Sequence, residues 1–513
     1  MAWQRFLLLL SFLEGGSVMA AELLGAKMLA PFFGSSLYVW TTTLSMTLGA
    51  LTSGYFVGGR LSPSPQRLRW LVFVLFLAAL FISLMPFSVR YSLNILPETS
   101  LIGGILLSGG LSIFPPIFCL GVVSPLIIGE LSYQNQTPGR VAGNIYAFST
   151  LGGILFTLVY GFWAIPYFGL TGMALFTGGI LATFSAVFFF RVRGTFALVI
   201  AGWIGFSVLP DPSLGKIETD QKNRQLNVLS LQEGLLGQVM VTERLDPSGT
   251  MPNARYLMVN RVIQTEYFPF KKESSSLYSH IIEKIANNLK NRDNALVLGL
   301  GGGRLSSLLI SKVGFKSVQA CELDSRIYEA ARQFFDLDKR IHVIIDDARH
   351  FLNQLSKSYN LIVFDLFRGE ESPEHVITLE SLRELKKNLS PDALLIINSH
   401  GYFRGGMGAG NQAIYKTLVK AGYSVDVYAT SIQEENSNNL FVCALKSPSI
   451  IKLRPIIQGR LIASNSFDLN KAILLQDNYP VLNYLNMDAA KAWRKAYIQI
   501  QPYYESQKIP FFY

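Results

Sequence analysis

Five polar clusters, each set directly after an apolar run, hold the residue types with which this chain could do chemistry. Gly299-Leu-Gly301-Gly302-Gly303 follows Ala295–Leu298, and Glu322 follows Ser317–Cys321. Asp346-Asp347-Ala348-Arg349 follows His342–Ile345, Asp365 follows Leu361–Phe364, and Ser399-His400 follows Ala393–Asn398. A glycine loop between a strand and a helix lets the backbone approach a ligand closely. An acidic residue about 20 positions further on can accept both hydroxyls of a ribose. Gly299, Gly301, Gly303 and Glu322 are therefore candidates for holding a nucleoside. Asp347 is placed to accept from an adenine amino group.

The elements that must position these groups follow from the same pattern. Beyond Asp293 the chain alternates strand, loop and helix, which predicts an α/β Rossmann-like domain over 293–445. Its ligand site would lie at the carboxyl ends of parallel strands. Before it, Val228–Leu231, Gly237–Thr242 and Tyr256–Val259 read as short strands, with Asp246-Pro-Ser-Gly249 as a turn. An amphipathic helix follows from Ser276 to Leu289, so 224–292 reads as a small β-hairpin region with one helix. Residues 446–513 form a C-terminal extension. His280, His375 and His400 lie near the cleft and read as ordinary loop or capping histidines, with a catalytic or ligand role as the alternative for His400. Gly401 and Gly405–Gly410 read equally as a flap over the site or a flexible surface loop.

Composition separates this region from the one before it. The chain has 513 residues, 16% of them charged, and a net charge of +10. Residues 1–210 contain only 9 Lys and Arg and 4 Asp and Glu; the other 303 contain 36 and 31. This contrast excludes a wholly soluble enzyme, a disordered protein and a chain that is all transporter. Basic and acidic residues alternate in the second part without a basic stripe, which argues against nucleic acid. Cys119, Cys321 and Cys443 are far apart, so neither a zinc site nor a disulfide framework is indicated.

Residues 1–210 hold six apolar stretches near bilayer length, around 6–30, 38–59, 69–88, 101–127, 142–165 and 170–190. The first is not a cleavable signal, since it runs past Glu14 and Glu22 and more such stretches follow. A seventh run, Thr195–Leu209, would reach only ~22 Å as a helix, against a hydrocarbon core of ~30 Å. A helical membrane domain of six or seven spans is expected, with a break at Pro115-Pro116 and a linker over 211–223. Arg5, Arg60, Arg67, Arg69, Arg140, Arg191 and Arg193 fall on alternate sides of consecutive spans. This predicts a multi-pass protein of the inner (plasma) membrane, with cytoplasmic N-terminus. Six spans would leave the soluble part in the cytoplasm, and the shortness of the seventh run favours that side. Glu14, Glu22 and Lys27 lie in or near the first span, where ionisable groups either mark a path or only orient a helix.

The second part resembles the spermidine synthase (polyamine aminopropyltransferase) family, within the S-adenosylmethionine-dependent methyltransferase-type folds. The resemblance runs over roughly 228–445. It is carried by Tyr256-Leu-Met-Val-Asn-Arg-Val-Ile-Gln264, Tyr278, the glycine loop, Glu322, Asp347-Ala348-Arg349, and Asp365 after Tyr359-Asn-Leu-Ile-Val-Phe364. The first part is similar to that of fused membrane–spermidine synthase proteins, through Glu22–Trp40 and Gly54-Tyr-Phe-Val-Gly-Gly-Arg60. Leu475-Gln-Asp477-Asn-Tyr-Pro480 resembles that group's closing motif.

The resemblance implies aminopropyl transfer from decarboxylated S-adenosylmethionine to an amine or polyamine. Asp365 would be the base and Tyr278 would orient the amine. Glu322, Asp347 and Ala348 would hold the nucleoside, and Gln264, Tyr278 and Arg368 would face the acceptor. No metal is implied, the bilayer is the expected partner, and self-association is left open. Three positions depart from the family pattern. Gly302 stands where the family's glycine loop carries Asp, Arg368 where it carries a second carboxylate, and Tyr278-Ser279-His280 where it reads Tyr-His-Glu. Two carboxylates that would hold a cationic amine are thus absent, and a guanidinium beside a polyamine would be repulsive. Glu370, Glu371 and Glu374 are a solvated loop face or substitutes for them. Two other readings stay open. One is methyl transfer from S-adenosylmethionine, its carboxylate paired with Arg304 or Arg368. The other is a membrane transporter or receptor whose soluble domain binds a nucleoside or polyamine without turnover.

Overall fold

A computed structural model describes residues 2–33, 37–95, 101–133, 137–190, 218–219, 225–234, 236–246, 251–366, 372–431, 437–457, 459–462, 466–467, 469–490 and 492. The chain forms two compact units, one built on Met1–Lys216 and one on Ile217–Ser230 with Val239–Gln507. The seventh apolar run, Arg368, Glu370 and Glu371, and most of the 211–223 linker lie outside the described residues.

The first unit is helical: α1 (Ala2–Phe33), α2 (Leu37–Leu61), α3 (Arg67–Ile95), α4 (Leu101–Ser112), α5 (Phe114–Ser132), α6 (Pro138–Val159) and α7 (Ile165–Phe190). Among the described residues four helical runs are long and apolar enough to cross a membrane: Trp3–Ala30, Arg67–Val89, Phe114–Ser132 and Pro138–Val187. The expected count of six or seven is therefore not established. The stretch at 38–59 falls out because α2 carries seven Thr and Ser side chains. The stretch at 101–127 divides where Pro115-Pro116 opens α5, since proline fits a first turn and not a helix interior. The last run is 50 residues long and holds the two final stretches, interrupted at Gly169 (φ 70°, ψ 173°). Glycines bring α1 and α6 into backbone contact. A Cβ on Gly15 would lie 2.0 Å from the Ser149 carbonyl oxygen, and one on Gly152 would lie 1.8 Å from that of Phe12.

The second unit contains two sheets. Where a small hairpin is expected, the chain builds a six-stranded sheet in sequence order: β1 (Glu218–Thr219), β2 (Gln225–Gln232), β3 (Val239–Leu245), β4 (Pro252–Val259), β5 (Val262–Phe268) and β6 (Glu273–Ser274). Its first strand falls within the expected linker. The other sheet uses β7 (Asn294–Leu298), β8 (Ser317–Glu322), β9 (His342–Ile345), β10 (Tyr359–Phe364), β11 (Leu389–Gly401), β12 (Ser424–Ala429), β13 (Ser437–Ala444) and β14 (Leu461–Ile462). Their order is β14-β12-β13-β11-β10-β7-β8-β9. The run from β11 to β9 is parallel, and β13 joins β11 antiparallel.

Burial on both faces explains the uninterrupted apolar strands. Leu298, Ile362, Phe364 and Ile397 pack into one core and Val297, Leu361, Val363 and Ile396 into another, alternating residue by residue. Strand order reverses between β7 and β10, and the crevice beyond the carboxyl ends at such a reversal is where open α/β sheets take ligands.

Candidate active site

A cavity of about 800 Å³ opens at that crevice, lined by Gln264, Tyr278, Gly299, Gly301, Glu322, Asp347, Ala348 and Asp365 among others. Six chain segments far apart in sequence thus converge. Their spacing depends on Gly299. Its φ of 90° is a left-handed conformation, and a Cβ there would lie 2.0 Å from the Asp365 carbonyl oxygen. The Gly299 amide donates to the Cys321 carbonyl (2.8 Å), and the Asp365 amide donates to that of Leu298 (2.8 Å). Only glycine lets the turns after β7 and β10 close on each other.

Glu322 is buried, and its carboxylate accepts the amides of Leu300 (2.9 Å) and Asp324 (3.0 Å), tying the glycine loop to the end of β8. Asp347 accepts the amides of Arg349 (2.9 Å) and His350 (3.1 Å), capping the helix Ala348–Asn353, and meets the His375 ring at 2.9 Å. Burial alone would raise its carboxyl pKa; the amide donors and His375 outweigh it and hold it below the ordinary value. Gly303 is not among the cavity-lining residues. It caps the helix Arg304–Leu308 in a left-handed conformation, where a Cβ would meet Leu337 at 2.3 Å.

Asp365 is the acid held by two side-chain donors in the site. The Tyr278 hydroxyl donates to one of its oxygens and the Asn398 amide to the other, both at 2.8 Å. Burial raises its pKa, and the donors from Asn398 and Tyr278 pull it part of the way back. Burial likewise pushes the Tyr278 phenol well above its ordinary value, with the neighbouring Asp365 charge adding to the shift. The phenol therefore stays a proton donor. Asn438 donates in turn to Asn398 (3.1 Å), which fixes the orientation of the amide. His400 lines the cavity, and burial lowers its pKa, favouring the neutral ring.

Asn398 and Asn438 are functional candidates that the strand pattern passed over. A signal existed, because asparagine is disfavoured in strand interiors and both sit inside β11 and β13. Thr265, which accepts the Gly302 amide at 2.9 Å, was also missed. A side chain at Gly302 would press within 2.7 Å of Thr265, so the departure at that position is matched by its packing. Arg304 donates to the carbonyls of Phe335 (3.0 Å), Asp336 (3.1 Å) and Lys272 (2.8 Å), which occupies both terminal nitrogens. Within 405–410, Gly406–Gly408 is a turn of 3₁₀ helix leading into the helix Ala409–Lys420, with Gly408 packed on Phe403 and Gly410 on Asn486.

This is a methyltransferase-type α/β unit with a buried carboxylate at the sheet's reversal point. More specifically, residues 275–440 match the family model of the spermine/spermidine synthase domain. The chain is 24% identical over 306 residues to a polyamine aminopropyltransferase of Oceanobacillus iheyensis, covering 54% of this chain and 56% of that one. It is 30% identical over 138 residues to an eEF1A lysine and N-terminal methyltransferase homolog of Drosophila pseudoobscura, covering 24% and 20%. The chain thus spans about half of the first relative's length and a fifth of the second's. Among solved structures, a probable spermidine synthase from Corynebacterium glutamicum superposes with a TM-score of 0.39 at 15% identity, over 46% of this chain and 87% of that one.

Proposed function

We propose that the α/β unit transfers an aminopropyl group from decarboxylated S-adenosylmethionine to an amine. The observation that carries this reading is the placement of Asp365, buried in the same cavity as Glu322 and Asp347 and held by two neutral donors. An alkylamine is protonated at neutral pH and has no free lone pair, so a base must act first. Asp365 takes the proton, and the amine nitrogen attacks the propyl carbon bound to sulfur. That C–S bond breaks, and its electron pair returns to sulfur, leaving neutral methylthioadenosine. Tyr278 and Asn398 orient the carboxylate, Glu322 and Asp347 hold ribose and adenine, and Gln264 faces the acceptor. Arg368 belongs to the same proposal as an acceptor-facing residue. Methyl transfer is less well supported, because Arg304, one cation that could take a methionine carboxylate, is already engaged by backbone carbonyls. Incubating the purified chain with either sulfonium and a panel of amines separates the readings. Methylthioadenosine is expected from the decarboxylated donor. S-adenosylhomocysteine would mean methyl transfer, and tight methylthioadenosine binding without any product would mean a non-catalytic receptor.

We also propose that the helical unit anchors the protein in the plasma membrane with the α/β unit on the cytoplasmic side. The four apolar runs and the arginine distribution support this. A reporter fused after Tyr513 should fluoresce in the cytosol. Alkaline phosphatase activity there, without fluorescence, would place the domain outside.

A further inference from the structure

We propose that the carboxyl group of Glu14 is a reversible proton-binding site inside the helical unit. Glu14 lies mid-way along α1 and is 1% exposed. One of its oxygens accepts the hydroxyls of Ser149 on α6 (3.0 Å) and Ser124 on α5 (3.2 Å), so three helices converge on one carboxyl group. Both partners are neutral. Among the described residues no basic side chain pairs with it. Arg67 is committed to Glu130 at 2.7 Å, and Lys27 lies 13 positions further along α1, ~20 Å at the rise of a helix. Tyr55 of α2 and Tyr146 of α6 are neighbouring phenols and supply no counter-charge. Glu22, on α1 itself, is a second acid and adds no counter-charge.

An ionised carboxylate in such a site costs several kcal/mol, and two hydroxyl donors do not offset it. The group must therefore carry a proton or a cation. The donor set favours the proton, which needs no ligand beyond the carboxyl and its two hydroxyl neighbours. Beside Glu14, the Gly15 backbone already touches the Ser149 carbonyl, and Gly152 touches Phe12. A metal ion such as sodium would need further oxygen ligands and the room to hold them.

The inference rests on the helical unit lying in a bilayer, and the experiment separates the two. The full chain is reconstituted in vesicles and first floated on a density gradient; failure to float overturns the anchoring alone. On floated protein, infrared difference spectra are recorded across roughly pH 5 to 9, a range that spans ordinary and raised carboxyl values. Beside the contribution of Asp365, a protonated-carboxyl component that disappears with rising pH in the wild type, is lost in Glu14→Gln, and persists but shifts in frequency in Ser149→Ala is expected. Glu130→Gln should leave it in place. Wild-type and floated Glu14→Gln spectra that change identically with pH overturn the proposal. Loss of the band on adding sodium at constant pH would overturn the proton as the occupant.

Discussion

Asp365 and Glu14 are both buried carboxylates with two neutral hydrogen-bond donors, yet they lie in units assembled on different principles. In the α/β unit, backbone polarity is satisfied by a sheet whose strand ends leave amides and side chains pointing into a cavity. Asp365 sits at that end, where a ligand can reach it. In the helical unit each helix satisfies its own backbone, and glycines draw α1 and α6 into backbone contact next to Glu14. One acid thus lines a cavity, and the other is enclosed by the side chains of neighbouring helices. What decides the difference is whether the surrounding elements end or continue at the acid.

The comparison breaks first at Asp365. Asp365→Asn keeps the shape and loses the basic oxygen, so turnover should fall by roughly 10²–10⁴ while methylthioadenosine affinity changes little. Near wild-type turnover would mean that the base lies elsewhere. Next in size, Glu322→Ala should weaken methylthioadenosine binding at least tenfold, because a buried acceptor of charged character is removed (~1.5–3 kcal/mol). Calorimetry on folded protein, verified by circular dichroism, tests this, and unchanged affinity would end the ribose assignment.

Smaller and sharper effects concern pH. The donors of Asn398 and Tyr278 favour the ionised form of Asp365, so Asn398→Ala or Tyr278→Phe should move the acidic limb of the kcat/KM profile to higher pH. Asn398 has the larger influence of the two. A limb that stays in place would detach these donors from the base. The smallest effect is on stability. Since the Asp365 pKa is raised on folding, its ionised form costs stability as pH climbs through the folded value. Asp365→Asn should then unfold at a higher temperature than wild type near neutral pH. The two should converge as pH falls to the ordinary aspartate range, where the wild-type group is neutral as well.

Read residue by residue, the sequence alone showed the contrast in charge density between its two parts and marked β7 to β11 of the α/β unit, while β12, β13 and β14 went unmarked. It also marked Glu322, Asp347 and Asp365 as acids at strand ends. These are local properties: charge density, two-residue periodicity and polar punctuation report directly on solvent, sheet and turn. Tyr278, Gln264 and Ala348 were reached only through family resemblance, since nothing in their immediate neighbours distinguishes them. The extent of the six-stranded sheet was also hidden, because pairing partners up to a dozen or more positions apart must meet before a short strand has a reason to form. The tertiary structure alone decided that Asn398 and Asn438 stand behind Asp365, that Gly303 supports a helix and does not line the cavity, and that Arg304 is consumed by carbonyls. It also decided that Glu14 is enclosed by Ser124 and Ser149. In each case the deciding partner lies tens of residues or more away, and a hydrogen bond across that distance exists only once packing has set the two backbones side by side.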